Sequence, residues 1–224
     1  MQTAAILSTQ EAARSRLYRR LADAYRWPVS DLPMVLKEME SALAQLGSDA
    51  CEAAARLRAS CHSAADTHAL AVDHAALFAG PFLVPAPPYG SVYLEDKRQL
   101  MGDSTIDARQ HYRSLGLDLS PEFKEAPDHI SAELEFMHVL IVQGIAAIDA
   151  ADYRLLSESI CHQRIFLERH LGAWVRAFSD KVIEHARTDY YRNLAAVTRA
   201  FIAEDMDALP DLPADASERV MAQT

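Results

Sequence analysis

Glu135-Phe136-Met137-His138 sets a carboxylate and an imidazole three residues apart, on one helix face, as the metal sites of di-iron bundles require. Such a centre needs a second Glu-x-x-His pair, and this sequence has none. His62, His68 and His74 miss the +3 and +4 intervals that would align them, so they read as solvated or core-edge histidines. A hydrolase needs a nucleophile on a sharp turn such as G-x-S-x-G, and a nucleotide site needs a Gly-rich loop before a helix. Gly90-Ser91 follows prolines with no strand pattern before it, and Cys161-His162, adjacent on a helix, point roughly 100° apart. The chain is therefore expected to have no catalytic residues, no metal and no cofactor, and to bind instead of turning over a substrate.

A second group of residues suits binding. Glu125, Asp128, Glu133 and Glu135 form an acidic cluster with no lysine or arginine between Glu125 and Glu135, and carboxylates so placed accept arginine bidentately. Helix capping accounts equally well for Asp128 alone, because acids at a helix N-terminus favour its dipole and Pro127 suits the first turn. Tyr89, Tyr93 and Phe136 would add aromatic surface.

The elements that must position these residues read as helices. Leu17, Leu21, Ala24 and Tyr25 share one face before Trp27-Pro28 ends the run. Pro33 opens a second helix that Gly47 closes, and an Ala-rich helical region follows from about Ser48 to Phe78, broken once near Asp66. From Gly80 to Ser91 four prolines and two glycines exclude helix, yet Phe82, Leu83, Val84 and Tyr89 make the segment apolar. It is expected to be an ordered, packed break. Helix resumes with Asp103 or Ser104 as N-cap, Ile106, Tyr112 and Leu115 inward, and Gly116 as terminator. The most regular stripe follows: Ile130, Leu134, Met137, Ile141, Ile145 and Ile148. One further helix carries Ile160, Leu167, Leu171, Trp174 and Phe178, and a last runs from about Lys181 to Met206. The predicted fold class is all-α, a single bundle over 1–206, with an acidic, mobile tail over 207–224.

Composition limits the partners. A formal charge of −10 disfavours nucleic acid and favours a basic ligand. Cys51, Cys61 and Cys161 offer no even count and no CxxC, so buried thiols in a reducing compartment are expected. The run Ala4 to Leu7 lacks the preceding positive charge of a secretory signal, and no stretch approaches the roughly 20 apolar residues of a membrane span. These features predict a cytoplasmic protein.

Four segments, in order, carry a family likeness: Leu77-Phe78-Ala79-Gly80-Pro81; Ala86-Pro87-Pro88-Tyr89-Gly90-Ser91-Val92-Tyr93-Leu94; Pro127-Asp128-His129-Ile130 with Glu133-Leu134-Glu135-Phe136-Met137; and Phe166 to Trp174. With these, roughly residues 14 to 205 resemble the TorD family of cytoplasmic chaperones for molybdenum-containing reductases, which includes DmsD and, more distantly, NarJ. The resemblance implies an all-helical chaperone that binds the twin-arginine signal peptide of an apo-molybdoenzyme, holds back export and assists insertion of the molybdopterin cofactor. Carried over by residue, it assigns peptide binding to Tyr89, Ser91, Tyr93, Pro127, Asp128, His129 and Glu133; Glu125 and Phe136 join them from the acidic and aromatic pattern. Many relatives have an acid where this chain has Gly90, so arginine recognition is expected to rest on the second motif, on Asp128 with help from Glu125 or Glu133. Relatives occur as monomers or as helix-exchanged dimers, for which residues 80–91 are the natural hinge. The alternatives are a general helical scaffold, or a metal- or nucleotide-dependent enzyme.

Overall fold

The structure, a computed structural model, describes residues 2–29, 31–60, 64–80, 84–95 and 100–210. Cys61, His62, Pro81, Phe82, Leu83 and the tail from 211 onward lie outside the described residues. Ten helices stand among the described residues: α1 (Gln2–Tyr25), α2 (Leu32–Leu46), α3 (Cys51–Ala59), α4 (Ala64–Phe78), α5 (Ser91–Leu94), α6 (Asp103–Ser114), α7 (Ile130–Asp149), α8 (Tyr153–Arg169), α9 (Leu171–His185) and α10 (Asp189–Ala208). The all-α expectation holds.

α1 and α7 pack along each other through the centre, with α2 on α1, α8 on α7, and α10 against α9 and α3. The α7 stripe is as read up to Ile145: Ile130, Leu134, Met137 and Ile141 are fully buried and Ile145 packs against them, while Ile148 is half-buried outside that cluster. By length and composition α7 is apolar enough to cross a membrane, which the sequence reading did not count, but most of that window is buried inside the bundle. Gly47 ends α2 at φ +68°, a backbone conformation glycine adopts without a Cβ penalty.

Several expectations change. The Ala-rich region is divided between α3, which ends at Ala59, and α4, which begins at Ala64 and contains Asp66. In α6 the inward face is Thr105, Ala108, His111 and Tyr112, while Ile106 is exposed. Glu95, not Asp103 or Ser104, caps this helix by accepting from the backbone N–H and hydroxyl of Ser104. The helix expected to carry Ile160 through Phe178 is two, broken at His170, where φ −121° and ψ −107° leave the helical region. The last helix begins at Asp189, because the buried Asp73 carboxylate accepts from the N–H groups of Arg187 and Thr188 and from the Thr188 hydroxyl, a cap that starts a new helix. At the far end Leu209 is buried, and Arg164 donates to the carbonyls of Leu209 and Pro210.

Candidate functional site

The Pro-rich break is bound to the turn before α7. The chain bends at Pro85 and Ala86, Pro88 disfavours helix at Pro87, and Ala86 N–H is anchored on the Leu77 carbonyl. The extended chain then pairs with the turn: Ile130 N–H donates to the Pro88 carbonyl and Gly90 N–H to the Asp128 carbonyl, both at 2.9 Å. Tyr89 and His129 thus form a single antiparallel bridge. Asp128, 1% exposed, fastens it further, its Oδ2 accepting from Ser91 N–H at 2.8 Å. From α6, the Tyr112 hydroxyl donates to the Pro127 carbonyl.

Behind this latch sits Glu133, fully buried, with Oε2 accepting from Trp174 Nε1 at 2.8 Å. Burial pushes its carboxyl well up, the Trp174 hydrogen bond opposing and the Asp128 charge adding to the rise. Gly90 is what this arrangement needs. A Cβ there would lie 2.9 Å from Trp174 Nε1 and 3.3 Å from Glu133 Oε1. Gly90→Ala is therefore expected to cost about 1–3 kcal/mol by overpacking a buried indole, read as a lowered urea midpoint; an unchanged midpoint would refute the close approach.

Two clefts flank the latch. The larger, 730 Å³, is walled by Tyr25, Phe78, Pro87, Pro88, Tyr89 and Val92, with Leu100, His74, His129 and Glu125 among its other residues. Glu125 is exposed and accepts from the Tyr89 hydroxyl. Burial and this carboxylate push the Tyr89 phenol up, so it stays a donor. The smaller cleft, 510 Å³, lies on the other side, among Leu117, Leu119, Phe123, Phe136 and Val139, with Arg26 and Glu135 at its edge.

The candidate residues therefore separate. Tyr89, Glu125 and His129 meet in the larger cleft; Ser91, Asp128 and Glu133 are buried, Pro127 supplies a carbonyl beneath, Tyr93 stacks on Trp174, and Phe136 lines the smaller cleft. The acidic cluster is not free of basic partners. Arg19 of α1 and Arg26, just beyond its end, both donate to Glu135, and Arg26 also lies over the Phe123 ring. His138 meets Ser15, so Glu135 and His138 both face α1, each with a protein partner there. Sequence reading did not place His74, Phe78 or Tyr25 in the site: Tyr25 reads as core by its helical spacing, His74 as a solvated or core-edge histidine, and Phe78 only as part of the first family segment.

His129 is the N-cap of α7, its Nδ1 accepting from Ser131 N–H. Burial first, then the charges of Arg26 and His74, bring its imidazole down to about 3. Unfolded, it titrates near 6.5, so the folded chain binds fewer protons between these values. This contribution to stability is complete above about 6.5 and is lost as pH falls toward about 3. His129→Asn keeps a capping acceptor and removes the titration. Urea unfolding at pH 7.5 and 5 should show a smaller acid loss in the variant; parallel profiles would refute the assignment.

Among the described residues one group of three, outside both clefts, could hold a metal: Asp107, His111 and His170. The His170 hydrogen bond holds the Asp107 carboxyl low, and burial lowers His111.

The family model for the nitrate reductase delta subunit matches residues 41–180. The Tat proofreading chaperone DmsD of Salmonella typhi is 32% identical over 128 residues, 57% of this chain and 56% of that protein. The chaperone protein TorD of a Psychrobacter species is 34% identical over 145 residues, 64% of this chain and 63% of its own. At 27% identity, TorD of Shewanella loihica aligns over 88% of this chain and 93% of its own. The chain thus spans just over half the length of the DmsD relative it matches. A crystal structure from Archaeoglobus fulgidus, described as a candidate redox enzyme maturation protein, covers 85% of this chain and 93% of that one with a TM-score of 0.52 at 22% identity, and shows a shared fold.

Proposed function

Because this chain belongs to the nitrate reductase delta subunit family and is similar to the TorD and DmsD chaperones, we propose that it is a cytoplasmic chaperone without turnover. Its ligand is the twin-arginine signal peptide of an apo-molybdoenzyme, which it holds while the molybdopterin cofactor is inserted before export. The observation that carries this reading is the larger cleft, an aromatic trough with one exposed carboxylate, Glu125, among its residues.

A twin-arginine signal presents guanidinium groups followed by an apolar stretch, so its receptor needs a carboxylate beside apolar surface. Glu125 takes the guanidinium, with Tyr89 and His129 beside it. Phe78, Pro87, Pro88 and Val92 take the apolar side chains. Asp128, Ser91, Pro127 and Glu133 act by holding the wall in place, not by touching the peptide, and Tyr93 and Phe136 pack the body behind it. The net charge of −10 steers a cationic peptide inward and makes its binding fall with salt. The helical body over 1–206 acts as one domain followed by a tail, and residues 80–91 are the hinge should copies exchange helices.

Calorimetric titration with a peptide of two adjacent arginines and an apolar run tests this. One peptide should bind per chain, more weakly as salt rises. Absence of heat, or equal affinity for a peptide whose arginines are replaced by glutamine, would overturn the reading.

A further inference from the structure

Asp107 and His111 lie one turn apart on the same face of α6, and His170 reaches them from the α8–α9 junction, 63 residues from Asp107 in sequence. His170 Nε2 is 2.9 Å and His111 Nδ1 3.9 Å from Asp107 Oδ2, and one ligand atom from each residue lies within 4.8 Å of the others. The junction holds His170 firmly: its N–H donates to the Phe166 carbonyl, and its ring stacks on the Phe166 ring at 4.9 Å. We propose that Asp107, His111 and His170 form a binding site for a divalent ion of borderline softness, zinc above all.

Two imidazoles and one carboxylate are a donor set suited to zinc, whose bonds of about 2.0–2.2 Å place tetrahedral ligands roughly 3.3–3.6 Å apart. The observed separations straddle that spacing, and rotation of the Asp107 side chain closes the difference. Both rings are buried while the Asp107 side chain is 40% exposed, which gives the ion an entry path and leaves its fourth position to water. His111 Nε2 and His170 Nδ1 are buried with no hydrogen-bond partner. Buried polar atoms left in this way are unusual enough to need an explanation. His111 Nδ1 donates to the Asp107 carbonyl at 3.1 Å, a bond that ligation through Nδ1 would replace. The same lack of an outer partner sets the expected affinity about 10- to 100-fold below that of a site with its ligands so supported. The ion would tie α6 to the α8–α9 junction.

The site stands apart from the peptide cleft, so its test does not depend on the proposed function. Zinc chloride is titrated into the chelator-treated full-length chain and into Asp107→Asn, which keeps an acceptor for the His170 N–H at a half-exposed position. His170→Gln is the second variant, and cobalt absorption reports nitrogen ligation. One zinc per chain in the unmodified protein, a raised melting temperature on loading, and a loss of at least tenfold in affinity in both variants are expected. Failure to bind zinc, or binding unchanged in Asp107→Asn and His170→Gln, would overturn the proposal.

Discussion

Replacing Asp205 by alanine is expected to lower the unfolding free energy by about 3–5 kcal/mol, because it strands a buried guanidinium. Arg14 of α1 donates to Asp205 through Nε at 2.6 Å and through its terminal nitrogen at 2.9 Å, and the Tyr18 hydroxyl adds a third bond at 2.7 Å. Gln163 of α8 takes the same terminal nitrogen at 3.1 Å, so one carboxylate on α10 organises three helices. For a chain of this size the loss corresponds to a melting temperature lower by on the order of 10 °C. Two of the groups that frame the clefts, Tyr25 and Arg26, sit at the end of α1, and the substitution should loosen them as well. A fall below about 1 kcal/mol would show that Glu11, which also pairs with Arg14, carries the charge alone.

Glu125→Gln is expected to weaken binding of a twin-arginine peptide by roughly 10- to 100-fold, the loss that follows when a hydrogen bond to a charged group goes. Stability should hardly move, since Glu125 is exposed and glutamine still accepts from the Tyr89 hydroxyl. Asp128→Ala should behave in the opposite way. It removes the acceptor that fastens Ser91, so unfolding shifts first and affinity falls because the cleft wall is released. Calorimetry together with thermal unfolding separates the two roles; equal binding losses at unchanged stability would return Asp128 to direct contact.

Much of the scaffold is legible in the sequence, for local reasons. The α7 stripe, the Gly47 and Gly116 terminators and the exclusion of helix by four prolines each act within a few residues. What escapes depends on distant partners. Phe166 to Trp174 keeps its helical spacing across the break at His170, whose imidazole hydrogen-bonds Asp107, 63 residues away. Ile106 is apolar yet outside, because α6 turns His111 and Tyr112 inward. The acidic cluster reads as uncompensated because Arg19 and Arg26, which neutralise Glu135, lie 116 and 109 residues away. Sequence likewise points first to Asp128, with Glu125 or Glu133 in support, although burial leaves only Glu125 exposed among them.

The central claim, that Glu125 meets an arginine of the signal, is tested most directly by a double-mutant cycle in calorimetry. The unmodified chain and Glu125→Gln are each titrated with the twin-arginine peptide and with its glutamine-substituted counterpart. A coupling energy above about 1 kcal/mol between Glu125 and the arginines is predicted. Additive losses, with coupling near zero, would contradict it and place arginine recognition elsewhere on the chain.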